Sequence, residues 1–302
     1  MSTPAYQTEF APQTGSPVAV AEGIVRVTAP NGGPYTFTGT NSFLLGRRDL
    51  AVLDPGPDDA RHLDALLAAI GGRRVTAILL THTHKDHCGL ARRLGAATGA
   101  PLWFGGRHRL SRPLRPLEIN PLAGSCDWTL APDRLLGDRE RFFAGDLELE
   151  ALATPGHCAN HFAFGVPGTP FLFSGDHVMG WSSTLVAVPD GSMADYMASL
   201  GRLLATDYRT YLPAHGGPIA DGPAFARALR THREMRNGQI VSAVRAGARS
   251  IGDLLGQIYP GLSLPLRRAA RMTLTAHVEA LAARGELRAR PLPWGWRLAP
   301  AA

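Results

Sequence analysis

The sequence predicts an α/β protein that ends in a small helical unit of winged-helix outline. Three observations carry this. A strand–helix–strand pattern runs over residues 50–80, several short apolar runs each stop at a His or Asp, and the pattern turns compactly helical after residue 240. The 302 residues suffice for one large core plus a small satellite. With 45% hydrophobic residues, and 34 Gly and 24 Pro spread along the chain, disorder, collagen and coiled coil are excluded.

Residues 1–21 mix Ser, Thr, Pro and Gln without periodicity and read as a loose lead-in. Ile24–Thr28 and Tyr35–Leu45 read as strands around the turn composition Asn31-Gly32-Gly33-Pro34. Leu50–Leu53 is a short apolar run that fits a buried strand. Leu63, Leu66, Leu67 and Ile70 then fall on one helical face, with Asp58 or Asp59 as the cap and Gly71-Gly72 as the stop. Val75–Leu80 is the next strand. Residues 101–144 are rich in Pro and Arg and give no clear assignment. Leu147, Leu149, Ala151 and Ala153 alternate as in a strand, and Phe171–Phe173 and Thr210–Leu212 are shorter strand candidates. Met193, Met197, Leu200 and Leu204 share a helical face and read as core filler.

After Val241, Ile251–Tyr259 reads as a short helix ending at Pro260-Gly261. Leu266, Ala270, Leu274, Val278 and Leu281 form an apolar stripe stopped by Gly285. Glu286–Arg290 and Trp294–Leu298 read as two strands around Pro291-Leu292-Pro293. The expected division is therefore a main domain over 22–240 and a winged-helix-like domain over 241–302.

The net charge of +6 is local: residues 1–239 carry 22 basic and 22 acidic groups, whereas residues 240–302 carry nine Arg against Asp253, Glu279 and Glu286. No apolar run approaches the roughly 18 residues that span a bilayer, so no membrane partner is expected. Met1–Val20 lacks the basic and apolar regions of a signal peptide. Three cysteines, Cys88, Cys126 and Cys158, are too few and too odd in number for a disulfide framework, which suits a reducing cytoplasm. The sequence assigns no oligomeric state.

The chemistry concentrates in Thr81-His82-Thr83-His84-Lys85-Asp86-His87, directly after the Val75–Leu80 run. In an extended segment His82 and His84 point to the same side, so two imidazoles converge on one metal. Asp86 and His87 lie past the bend, within reach of a second. A His-x-His-x-Asp-His string arises by chance about once in a thousand chains of this composition. Further His and Asp residues stand where apolar runs stop, beside Gly or Pro: Asp54, His157 in Thr154-Pro155-Gly156-His157, Asp176 and His177 in Ser174-Gly175-Asp176-His177, and His215 in Pro213-Ala214-His215-Gly216.

Taken in order, Asp54-Pro55-Gly56, the His82–His87 cluster, Thr154–His157, Gly175-Asp176 and His215 resemble the five motifs of the metallo-β-lactamase superfamily over about residues 22–220. Gly39-Thr40-Asn41, Gly175–Trp181, Pro189–Met197 and Ile258–Leu262 are similar to the β-lactamase-like protein 2 branch, which carries a C-terminal winged helix. The resemblance implies an αββα sandwich with two metals at one edge. It implies His82, His84 and His157 as ligands of the first metal, and Asp86, His87 and His215 as ligands of the second, with Asp176 bridging. Asp54 would orient a ligand imidazole from behind. His161 and His177 lie outside the motifs and are expected to support ligands or touch substrate. Cys88 and Cys158, each beside a ligand histidine, are expected to be small buried residues.

Two Zn²⁺ are the expected cofactors, since imidazole with few carboxylates suits zinc, and iron-binding relatives tend to carry Glu at the position of His84; mixed or other divalent occupancy stays open. The expected chemistry is hydrolysis by a metal-bridging hydroxide, with Asp86 as the catalytic proton handler. Three readings follow. The first takes single-stranded RNA as substrate, with Arg267, Arg268 and Arg271 on one helical side as an anion-binding face and the wing tryptophans for stacking. The second takes an ester or thioester of a small or carrier-bound acyl group. The third is a non-enzymatic metal-dependent regulator.

Overall fold

The computed structural model describes residues 4–292 and 295–301. Residues 1–3 of the lead-in, and Pro293, Trp294 and Ala302 of the expected winged-helix unit, lie outside the described residues. The elements run β1 (Pro17–Ala21), β2 (Ile24–Thr28), β3 (Asn41–Leu45), β4 (Leu50–Leu53), α1 (Ala60–Ile70), β5 (Val75–Leu79), α2 (Lys85–Cys88), α3 (Ala91–Thr98), β6 (Leu102–Phe104) and β7 (Arg134–Leu135). Then follow β8 (Arg141–Ala144), β9 (Leu147–Ala153), β10 (Phe162–Gly165), β11 (Phe171–Gly175), α4 (Met193–Leu204) and β12 (Thr210–Pro213). The chain ends in α5 (Gly222–Arg245), α6 (Ile251–Ile258), α7 (Leu264–Ala283), β13 (Leu287–Leu292) and β14 (Gly295–Pro300).

Strands β1 to β7 form one sheet in sequence order, and a second sheet runs β12-β11-β10-β9-β8. Period-two alternation distributes the apolar residues between layers. Phe43, Leu45, Leu53 and Leu79 meet Phe142, Phe164, Phe173 and Leu212 between the sheets. From the opposite face of the first sheet, Leu44, Val52 and Ile78 pack on Leu66 and Ile70 of α1 and Leu94 of α3. Leu152, Ala163 and Leu172 pack outward on Tyr196, Leu200 and Leu203 of α4 and Leu229 of α5. Burial on both faces is why β4 reads as an unbroken apolar run. The result is two sheets sandwiched between helical layers.

The lead-in is more ordered than its composition suggests. β1 pairs antiparallel with β2, and Phe10 lies under the Arg26 guanidinium at 4.7 Å. The expected strand Tyr35–Leu45 is shortened to Asn41–Leu45, because Gly33 to Gly39 close a turn through Phe37 N–H to Gly33 O and Gly39 N–H to Thr36 O. Asp59, of the two candidates, caps α1 by accepting from the Arg61 and His62 amides.

The expected division at 240/241 falls inside α5, which runs unbroken to Arg245, so a helix rather than a linker joins the terminal unit. That unit has its own core of Ile240, Val244, Ile251, Leu254, Leu274, Val278, Leu281, Leu287 and Leu298. Ala276 and Ala280 of α7 also pack into the layer of α4 and α5. Leu266, expected in the apolar stripe, is exposed, so the buried face of α7 begins about one turn later. Among the described residues no helix is long and apolar enough to cross a membrane.

Candidate metal centre

Strand direction gathers the site. β4 and β5 are parallel, β11 and β12 are parallel, and β9 runs with β11 because each is antiparallel to β10. The C-terminal ends that carry Asp54, His82, His157, Asp176 and His215 therefore lie along one edge. At that edge Asn41 ties the two sheets together, its amide donating to Pro213 O at 3.0 Å and Gly216 O at 2.8 Å. Two glycines permit the close approach. At Gly156 (φ +145°) a Cβ would stand 2.4 Å from the Tyr196 Cα, and at Gly175 (φ +53°) it would stand 2.5 Å from the His161 Nε2.

Each of the five candidate ligand imidazoles is bonded at its outer nitrogen, which leaves a lone pair on the inner one. His82 Nδ1–H donates to Thr81 Oγ1 (2.9 Å), which in turn donates to Asp54 Oδ2 (2.7 Å). His84 Nε2–H donates to Asp190 Oδ2 (2.9 Å), and His157 Nδ1–H to Leu185 O (2.7 Å). His87 Nδ1–H donates to Asp54 Oδ2 (3.1 Å), and His215 Nδ1–H to Gly39 O (3.2 Å). Inside, His82 Nε2 and His157 Nε2 lie 3.0 Å and 2.9 Å from His84 Nδ1. Three buried lone pairs facing one another repel unless a cation sits among them, so this set fits a metal.

The second group, Asp86, His87 and His215, closes beside the first. Asp86 Oδ2 is 3.4 Å from both His87 Nε2 and His215 Nε2. Asp176 stands between the groups: its Oδ2 is 3.6 Å from His157 Nε2 and 3.5 Å from His87 Nε2, and its Oδ1 is 3.3 Å from His215 Nε2. His87 Nε2, His215 Nε2 and Asp176 Oδ1 are buried with no hydrogen-bond partner. Orphaned buried polar atoms of this kind cost about 1–3 kcal/mol each unless something satisfies them. All seven expected ligands thus converge on one centre.

The two groups differ electrically. Burial and the neighbouring imidazoles push His82 well down and His157 to about 4, leaving both neutral with free lone pairs. Burial opposes charge on His87 and His215 as well, but Asp86 and Asp176 outweigh it, raising His87 well above its ordinary value and His215 to about 9. A cation held by His87 and His215 must displace their protons, so its affinity rises with pH. Between pH 8 and pH 6 the apparent affinity of that group should fall by up to about a hundredfold per pH unit, two protons competing. Chelator competition across this range reads the slope, and a flat profile would contradict it.

Several supporting groups carry no sequence signal of their own. Asp190 accepts from His84 and, at its other oxygen, from His108 Nε2–H at 2.7 Å. His108 Nδ1 accepts from Thr83 Oγ1 at 2.9 Å, and Asn160 donates to Thr83 Oγ1 at 2.8 Å. Pro189–Met197 was legible as a motif, but the chain alone does not show that Asp190 folds back onto His84. Cys126 also lies beside His84 and Asp190. Its thiol is pushed far up by burial and Asp190, so it is protonated and a poor ligand. From α5, the buried Arg233 donates to Thr184 O, and Thr184 Oγ1 donates to Asp176 O. This clamp precedes Leu185, whose carbonyl holds His157. Asp54 sits at φ +50°, strain of a kind that marks functional sites.

His161 donates through Nδ1 to Thr154 Oγ1 (2.8 Å) and accepts at Nε2 from the Asp176 amide (3.1 Å), so it holds the Asp176 backbone. His177 does not support a ligand through a hydrogen bond. Both its nitrogens are buried without a partner, burial pushes it down to about 3, and its ring packs 4.6 Å from Tyr196. It is a neutral interior histidine. Cys88 and Cys158 are buried, as their positions suggested. Arg267, Arg268 and Arg271 are exposed on α7, and none of them is among the clustered metal donors.

The profile of the Metallo-beta-lactamase superfamily matches residues 35–215, a span that contains every candidate ligand. The chain belongs to this superfamily. It is a metal-dependent hydrolase whose buried His/Asp clusters are consistent with a dinuclear metal site, and the reading of a non-enzymatic regulator gives way to this. The lactamase-like protein adaB of Aspergillus niger is 27% identical over 270 residues, covering 83% of this chain and 77% of that protein. The atrochrysone carboxyl ACP thioesterase of Aspergillus chevalieri is 30% identical over 229 residues, 74% of this chain and 66% of that one. A beta-lactamase domain protein from Burkholderia ambifaria shares the fold with a TM-score of 0.79 at 23% identity, covering 98% of this chain and 97% of that chain.

Proposed function

We propose that this hydrolase cleaves the thioester of a carrier-bound acyl group. One observation carries the reading: relatives that align over about three quarters of the chain are named ACP thioesterases, the A. chevalieri protein among them. This reverses the order expected from sequence, which put RNA first. The structure supplies a second reason. The Trp296 ring is covered by the Arg115 guanidinium at 4.5 Å, so this face is not open for base stacking.

In this reading His82, His84 and His157 would hold one cation and Asp86, His87 and His215 another, with Asp176 placed between the two groups. Zinc is the metal that suits five imidazoles and two carboxylates. When bound, such a pair lowers the pKa of water to about 7 and stabilises developing oxyanion charge. Asp54 and Asp190 keep the His87 and His84 lone pairs pointed inward. Asp86, with 31% of its side chain exposed, is the most solvent-open of the seven side chains, and its carboxylate would accept the proton of the attacking water. We read the unit α6–α7–β13–β14 as winged-helix-like, within the β-lactamase-like protein 2 branch.

The test is a panel of single-stranded RNA, an aryl phosphodiester and acyl thioesters, run with wild type and His157→Ala. Thioester hydrolysis that His157→Ala abolishes, with RNA untouched, is the expected result. RNA cleavage with the thioesters intact would sink the reading.

A further inference from the structure

The terminal unit carries the whole excess of positive charge, and catalysis at the His/Asp centre uses none of it. On α7, Leu264, Arg267, Arg268 and Arg271 fall at i, i+3, i+4 and i+7, one exposed face. Among the described residues none of the three arginines has an acidic partner. Uncompensated guanidinium groups in the first half of a helix work against its dipole, so intrinsic helix stability does not account for them. A side chain on Gly295 would lie 4.0 Å from Arg271 Nη2, which places the β13–β14 hairpin beside this face. Next along the hairpin is Trp296, and over it lies Arg115.

Arg115 belongs to a loop that starts at the metal centre. His108 is bonded to Asp190, and Ser111 donates from its amide to Pro189 O and from its hydroxyl to Gly191 O at 2.8 Å each. Arg112 is then locked between Glu118 and Glu279 of α7, with both contacts at 2.6 Å. This ionic clamp fixes the loop to the terminal unit. Between its arms the loop shows Leu117 at 80% and Ile119 at 84% exposure. Leu117 sits at φ +65°, a conformation that costs a β-carbon residue energy and presents an apolar side chain to water. Leu117 and Ile119 are thus aliphatic side chains that the rest of the described chain leaves uncovered.

We propose that this surface, the Leu264/Arg267/Arg268/Arg271 face of α7 with Leu117 and Ile119 of the neighbouring loop, docks an acidic face of the acyl-carrier protein that delivers the thioester. The proposal rests on the thioesterase reading above. Arginines unpaired within the chain call for acidic groups on the partner, and bare leucine and isoleucine beside them call for an apolar patch. RNA would use the arginines but not the aliphatic contacts.

The experiment measures binding apart from turnover. Fluorescence anisotropy of a labelled holo-acyl carrier protein is followed with wild type, with Arg267→Glu/Arg268→Glu/Arg271→Glu, with the corresponding triple Lys variant, and with Leu117→Ser. The Glu variant is expected to weaken binding at least about tenfold, the Lys variant to retain most of it, and Leu117→Ser to weaken it severalfold; the wild-type affinity should fall with added salt. Carrier binding unchanged in the Glu variant overturns the proposal. So does loss of binding to a labelled RNA 12-mer in that variant while carrier binding persists. Wild-type hydrolysis of octanoyl-N-acetylcysteamine separately tests the thioesterase reading, so failure of that reading and failure of the docking surface remain distinguishable.

Discussion

Asp176→Asn is expected to lower thioester hydrolysis by at least about a thousandfold, or roughly 4 kcal/mol in the transition state. Asp176 faces both groups, its two oxygens lying 3.3–3.6 Å from His157, His87 and His215. Burial opposes its charge, but His215 and His87 hold its carboxyl well below the ordinary range, so it is an anion in the folded chain. An amide of the same shape removes that charge and turns an N–H donor toward at least one group that must meet a cation. The loss should appear in kcat as well as in metal stoichiometry, read by elemental analysis after dialysis. A variant that keeps both metals and wild-type kcat would remove Asp176 from the centre. Because the amide is isosteric, the folded state should survive.

Asp190→Asn should act through His84. The carboxylate accepts from two imidazoles, at 2.9 Å from His84 and 2.7 Å from His108. Burial opposes its charge, and these two donors still keep it far below the usual carboxylate range. Asparagine has one acceptor oxygen for two N–H groups, so one histidine loses its partner. An unsatisfied buried donor costs about 1–3 kcal/mol. If His84 is the one affected, its tautomer is no longer fixed, and metal affinity should fall about 10–100-fold. Metal titration and urea unfolding of the metal-free protein measure the two effects. Wild-type affinity in this variant would show that Asp190 serves the fold alone.

Strands β2 and β4 and helix α1 were legible because each is governed by local rules: alternation or apolar continuity, a cap, a left-handed Gly at Gly71. The ligand set was equally legible, since every strand that ends at the site ends in a motif. Segments whose partners are distant in sequence were not. β6 and β7 are two or three residues long and exist because they extend a sheet begun elsewhere. β1 looked like a tail because its pattern shows only one half-buried face. His161 and His177 look alike in sequence, four and one residues from expected ligands. Only the folded chain separates the imidazole that holds the Asp176 amide from the one packed on Tyr196.

By itself the sequence determined the α/β class, the donor types and their order, because strand periodicity and donor spacing are encoded within a few neighbouring residues. The tertiary structure decided which nitrogen of each imidazole faces inward, which carboxylates stand behind them, and that the basic terminal unit is joined to the catalytic edge through Arg112 and Glu279. Those are contacts between residues up to about 170 positions apart, and only chain direction and sheet order bring them together.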